Sequence, residues 1–140
     1  MTMATKVADV MTRDPATVEM GQPISAAAQI MAGNDTGAVI VTDNGQVSGI
    51  LTDRDIAVRV VAQGRGPDTP VQEACSCDVT TVRPDTSLDE VVRIMRSQTV
   101  RRLPVVDNGR PVGVVSLGDM AVERDPESAL ADISRAEGNL

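Results

Sequence analysis

Two short stretches, residues 38–41 and 103–106, are apolar at every position. Such runs suit strands buried on both faces, because a strand with one wet face would alternate. Each is followed by an Asn-Gly pair, Asn44-Gly45 and Asn108-Gly109. These residues accept the positive φ of a tight hairpin, so each run is expected to turn back into a second strand, over 47–51 and 111–115. A different period precedes the second run: Leu88, Val91, Val92 and Met95 stand at i, i+3, i+4 and i+7. That spacing predicts one apolar stripe on a helix, opened by Ser87 with Glu90 three residues on as a capping box. The same stripe recurs with smaller side chains as Ile24, Ala27, Ala28 and Met31. Short strands are expected ahead of these helices, over 80–82 in the second case. Closing helices follow the hairpins over 53–63, with Gly64 as C-cap, and over 118–124.

The recurrence is continuous. Displacing the sequence by 64 residues lays Val41-Thr42-Asp43-Asn44-Gly45 onto Val105-Val106-Asp107-Asn108-Gly109 and Asp55-Ile56-Ala57-Val58 onto Asp119-Met120-Ala121-Val122, without a gap. The chain therefore divides into a first repeat over 7–64, a breaker-rich linker over 65–70 and a second repeat over 71–124. Residues 7–10 and 71–74 read as matching short helical turns. A tail over 125–140, with Asp125 as N-cap and Pro126 at the first helical position, has no counterpart in the repeat. Each repeat has the order strand, helix, strand, strand, helix, an α/β (α+β) unit of βαββα type. A unit of roughly 60 residues buries too little surface to be comfortably stable alone, so the copies are expected to pack on each other.

Composition narrows the chemistry. A net charge of -7 opposes nucleic-acid binding, which rests on Lys and Arg displacing counterions from phosphates. The 140 residues include no His and no aromatic residue, removing imidazole bases, the commonest transition-metal ligand and any stacking platform. No apolar run approaches the roughly 18 residues of a membrane span, and no signal peptide is visible, so a cytoplasmic protein with no membrane partner is expected. Cys75 and Cys77 form a lone C-x-C, a weak metal signal without further ligands, and Cys75 stands where the first copy has Met11, as a packing residue would. No metal site and no required cofactor are expected.

Each closing helix opens on a matched phrase, Gly49-Ile50-Leu51-Thr52-Asp53-Arg54-Asp55 and Gly113-Val114-Val115-Ser116-Leu117-Gly118-Asp119. A hydroxyl at a helix start can donate to a phosphate oxygen, and a carboxylate three residues on can accept from a ribose diol. The same Thr-x-x-Asp and Ser-x-x-Asp spacing also satisfies a capping box, a purely local helix-starting device. Both readings stand on these residues alone. Two occurrences, each after an apolar strand and a glycine within a continuous repeat, favour a nucleotide-binding architecture.

The phrases Val100-Arg101-Arg102-Leu103-Pro104-Val105-Val106-Asp107 and residues 113–119, with residues 49–55 of the first copy, resemble the cystathionine-β-synthase (CBS) motif in tandem, a Bateman module. The similarity covers residues 7–124, and small two-motif proteins of the hypoxic or general stress-response type look alike in length and arrangement. The resemblance implies two pseudo-symmetric motifs packed through their sheets, with clefts between them for adenosine-containing ligands: AMP, ADP, ATP or S-adenosylmethionine. It also implies a homodimer. Carried onto this chain, Asp55 and Asp119 match ribose-contacting carboxylates, and Thr52 and Ser116 match hydroxyls near ribose or phosphate. Ile50 and Val114 match base-pocket residues, and Thr17-Val18 and Thr81-Val82 match its edge, acting through backbone groups. Arg101 and Arg102 match a phosphate-contacting basic position. The first copy departs here, with Gly37 and Ala38 in their place, while Arg54 precedes Asp55 where Gly118 precedes Asp119. The two clefts are therefore expected to differ in charge.

The function expected is a non-enzymatic regulatory module that binds an adenine nucleotide and acts through shape, assembly or an effector protein. The alternative is a dimeric interaction scaffold with vestigial clefts. Phosphoester hydrolysis by Asp53 or Asp55 is disfavoured by the lack of His and of an evident metal cluster.

Overall fold

The computed structural model describes residues 5–77 and 79–124. The expected tail helix at 128–136 lies outside the described residues. The chain forms two compact units: Pro15–Val79, and residues 5–14 joined to residues 80–124.

In the first unit, β2 (Thr17–Glu19) pairs parallel with β3 (Ala38–Asp43), which pairs antiparallel with β4 (Gln46–Thr52), and α2 (Ile24–Asn34) connects β2 to β3. Asn44 and Gly45 have φ of 54° and 83°, the mirror-image turn that matches strand twist. Val39, Val41 and Leu51 pack with Ile24, Ala27 and Met31, so α2 lies on one face of this sheet; Ala28 is exposed instead of completing the stripe. Residues expected as one closing α-helix form a short α-turn, α3 (Asp53–Asp55), running on into π-helix over Ile56–Val61. Ala62 N–H reaches the Ala57 carbonyl at 2.9 Å and Arg65 N–H the Val60 carbonyl at 2.9 Å, both five residues back. The wide turn keeps Val60 buried and Ile56 half-buried on the core side. Gly64 ends the segment at φ 72°.

The second unit repeats the plan with α4 (Leu88–Gln98), β5 (Arg102–Asp107), β6 (Arg110–Ser116) and α5 (Leu117–Arg124). Leu88, Val91 and Met95 meet Val82, Leu103, Val105 and Val115 in its core. Ser87 caps α4 by accepting from Glu90 N–H at 3.2 Å; the Glu90 carboxylate pairs with Arg93. The strand expected at 80–82 is reduced to a single bridge, Val82 to Val105. Proline explains this. In the first unit the outer ladder bonds are Ile40 N–H to Ala16 and Met20 N–H to Thr42, at 2.9 and 2.8 Å. Pro104 and Pro84 occupy the equivalent donor positions and carry no N–H. Only the two middle bonds survive, Val82 N–H to Pro104 and Val106 N–H to Val82, at 3.0 and 2.8 Å.

Each sheet gains an edge partner that periodicity does not announce. α1 (Val7–Val10) leads into β1 (Thr12–Arg13), which pairs with β6 through Thr12 to Val114 and Arg13 to Gly113. The matching segment in Pro15–Val79 is a 3-10 turn, Val71–Glu73, followed by Ser76, which bonds both ways with Ile50 at 3.0 and 3.1 Å. The glycines of the repeated phrase serve this approach. A Cβ on Gly49 would stand 2.3 Å from the Ser76 carbonyl oxygen, and one on Gly113 would stand 2.8 Å from the Thr12 carbonyl oxygen. Val71 and Ala74 are fully buried, and Val7 likewise in the other unit, so these short turns belong to the cores.

Candidate functional site

Sheet register decides which predicted residues share a face. In Pro15–Val79, Thr17, Ile40 and Ile50 are direct partners across three strands, and Ala38 faces Thr52. Alternation along strands puts Thr17, Ile50 and Thr52 on the face turned away from α2. In the second unit Pro104 faces Val114 and Arg102 faces Ser116, again on the face away from α4. Val18 and Val82 turn the other way and are buried in the two cores. Val82 N–H and C=O are both engaged with β5, so Thr81, exposed beside it, is left to offer edge groups there.

At the ends of β4 and β6 the two copies build the same device. Thr52 N–H donates to Asp55 Oδ2 at 2.9 Å and Asp55 N–H to Thr52 Oγ1 at 3.1 Å. Ser116 N–H donates to Asp119 Oδ2 at 2.9 Å and Asp119 N–H to Ser116 Oγ at 3.1 Å. Both motifs are therefore capping boxes, which satisfy orphan N–H groups at the helix start. The cap consumes one carboxylate oxygen and leaves the hydroxyl proton unspent, since Thr52 and Ser116 act in it as acceptors. Asp55 Oδ1 has Arg59 Nε 3.8 Å away, whereas Asp119 Oδ1 has no donor among the described residues. Burial pushes the Asp119 carboxyl above its ordinary 3.8, against the lowering effect of its bonds to Ser116. A half-desolvated carboxylate with an uncommitted oxygen is a strong acceptor for a hydroxyl.

The basic residues divide unevenly. Arg101 and Arg102 are exposed at the start of β5, and the Arg101 carbonyl accepts from Leu117 N–H at 2.7 Å. The equivalent bond in the first unit is Asp53 N–H to the Gly37 carbonyl, at 2.9 Å. There a Cβ on Gly37 would meet Asp53 Oδ2 at 3.0 Å, so an acidic side chain lies against the position equivalent to Arg101, where the second unit has Leu117 in place of Asp53. Arg54 is exposed, and its N–H is held by Asp53 Oδ1 at 2.8 Å. Sequence reasoning missed Arg59, whose Nη1 donates to the carbonyls of Ala74 and Cys75 at 3.3 and 3.4 Å and ties the π-helix to the 71–75 segment. Its one sequence signal is its place four residues after Asp55. Among the described residues there is no group of three or more His, Cys, Asp or Glu able to hold a metal, and no helix long and apolar enough to cross a membrane.

Known proteins resemble this arrangement along nearly its whole length. CBS domain-containing protein YhcV of Bacillus subtilis (strain 168) is 43% identical over 132 residues, spanning 91% of this chain and 94% of that protein. The crystal structure of Hypoxic Response Protein I with two coordinated zinc ions is 34% identical and superposes with a TM-score of 0.76, over 84% of this chain and 97% of that one. The CBS domain pair of protein MJ0100, solved in complex with 5-methylthioadenosine and S-adenosyl-L-methionine, is 29% identical with a TM-score of 0.76, over 84% and 93%. The CBS domain family model matches the chain twice, at residues 7–62 and 71–124, so this chain belongs to the CBS domain family as a tandem pair.

Proposed function

We propose that this CBS pair is a non-enzymatic regulatory module that binds an adenosine-containing ligand, AMP, ADP, ATP or S-adenosylmethionine. It acts as a homodimer whose shape or assembly an effector protein reads. Asp119 and Asp55 accept from ribose hydroxyls, Ser116 and Thr52 donate through their hydroxyl protons, and Val114 and Ile50 supply the aliphatic surface for adenine. Thr81 and Thr17 line the sheet edge, while Val82 and Val18 support it from the core. Arg101 and Arg102 take phosphate oxygens, with guanidinium forks suited to that geometry. The observation that carries this reading is Asp119: a capping carboxylate, half-buried, with one oxygen lacking a donor among the described residues. The nucleoside-bound state of the MJ0100 pair supports the ligand class.

The test is optical. With no Trp, Tyr or Phe, the protein contributes almost nothing to the near-ultraviolet spectrum, so an adenine band on freshly purified material reports bound ligand directly. Mass measurement of the released compound then identifies it. The reading fails if no adenine compound co-purifies and calorimetry detects no heat with AMP, ADP, ATP or S-adenosylmethionine. The scaffold alternative draws on one observation, that each aspartate already serves a cap. It would be supported if Asp119→Ala left every partner interaction and every titration unaltered.

A further inference from the structure

We propose that Cys75 and Cys77 form a modification site, a thiol pair that closes into an intramolecular disulfide by exchange with a low-molecular-weight disulfide. The two sulfurs lie 3.6 Å apart although only one residue separates them in sequence. Local backbone clamping produces this closeness. Ala74 N–H closes the 3-10 turn on the Val71 carbonyl at 3.0 Å, Cys75 N–H shares that carbonyl at 3.0 Å, and Ser76 is held in both directions by Ile50. Arg59 adds its bond to the Cys75 carbonyl at 3.4 Å. A disulfide bond of about 2 Å therefore requires the sulfurs to approach by less than about 2 Å, within reach of side-chain rotation.

The two thiols are unequal in access. Cys77 is exposed and Cys75 is buried. Burial, with the hydrogen bond to Cys77, pushes the Cys75 thiol up to about 11, which keeps it from reacting on its own. The order of events follows. The Cys77 thiolate attacks one sulfur of the small disulfide, forming a mixed disulfide and releasing one small thiol. Cys75 then loses its proton and attacks the Cys77 sulfur, forming the Cys75–Cys77 bond and expelling the second small thiol. In balance, two protein thiols and one small disulfide become one protein disulfide and two small thiols. The closed ring would sit on the segment that borders Ile50 and Arg59, so its formation acts on the sheet edge of this unit independently of any ligand.

The experiment exposes the full native chain to oxidised glutathione, quenches with acid, and reads intact mass and free thiols. The expected product is a single chain lighter by two hydrogen atoms, with neither thiol titratable, restored by dithiothreitol. Cys75→Ser should stop at a glutathione adduct on Cys77. Cys77→Ser should react at least about tenfold more slowly, because only the buried thiol remains. Since Cys77 is exposed, that variant tests the order even if Cys75→Ser fails to fold. A persistent glutathione adduct on the parent, disulfides between chains, no reaction at all, or undiminished reactivity of Cys77→Ser would each overturn the proposal.

Discussion

Asp119 combines a structural bond with a charge that burial disfavours. Because its pKa is raised, the folded chain retains the proton over a pH range in which the unfolded chain has released it. The stability this group contributes is complete below the ordinary value of 3.8 and is lost as pH rises through the folded value. Asp119→Asn keeps an oxygen that can accept from Ser116 N–H but carries no charge. We predict that urea midpoints of parent and Asp119→Asn converge toward about pH 4 and separate in favour of the variant by about pH 7. An offset independent of pH would contradict the burial argument. Asp119→Ala loses the acceptor for Ser116 N–H as well, at about 1 kcal/mol, while the backbone N–H of residue 119 still donates to Ser116 Oγ. On the proposed ligand site both variants weaken adenine-nucleotide binding by about tenfold to 100-fold in calorimetry, through the lost charge-assisted acceptor. Equal loss in the variant that keeps an acceptor for Ser116 N–H and the one that lacks it would separate ligand contact from helix support. Cys75 has the same sign at alkaline pH: its raised pKa means stability present below 9.0 is lost as pH rises through about 11.

At the scale of elements, what was legible in the sequence was local. Asn44-Gly45 and Asn108-Gly109 specify their turns through two adjacent φ values, and the stripe Leu88, Val91, Met95 specifies a helix face through neighbours three and four apart. The Thr-x-x-Asp and Ser-x-x-Asp caps were legible for the same reason, though their spacing could not say whether the second carboxylate oxygen was free. The pairing of Ser76 with Ile50 and of Thr12 with Val114 was not legible, because those segments are too short to show a period and their partners are distant in sequence. The glycine signal was present but pointed elsewhere: Gly49 and Gly113 belong to the motif phrase, and what they admit is a neighbouring backbone. Gly49→Ala would force its Cβ against the Ser76 carbonyl, and we predict a loss of about 1–3 kcal/mol in chemical denaturation. An unchanged midpoint would show that this edge yields freely. A converse case ends α4, where the exposed β-branched Thr99 is held at φ 56°. Thr99→Gly should stabilise by about 1 kcal/mol, raising the thermal midpoint, since glycine adopts this C-cap conformation without the side-chain clash.

For the whole molecule, the sequence repeat and the compact units are cut at different points. The repeat begins near residue 7 and begins again near residue 71, whereas the units are Pro15–Val79 and residues 5–14 with residues 80–124. Each repeat's opening turn and strand completes the sheet built around the other repeat's hairpin. A segment ending at the breaker-rich linker, residues 15–66, would keep β2, α2, β3, β4 and the π-helix but lose Val71, Ala74 and Cys75 from its core, buried to 0%, 0% and 7% exposure. It would also lose both bonds from Ser76 to Ile50 and the carbonyls that receive Arg59. Burying the Val71 side chain alone contributes about 1.5–3 kcal/mol, and the Ala and Cys side chains add to it. That sum is a large part of the about 5–15 kcal/mol by which a whole domain is stable. We therefore predict that residues 15–79 keep more native-like circular dichroism and a higher urea midpoint than residues 15–66. Matching urea midpoints for the two fragments would mean that the 71–77 segment decorates the sheet instead of completing it.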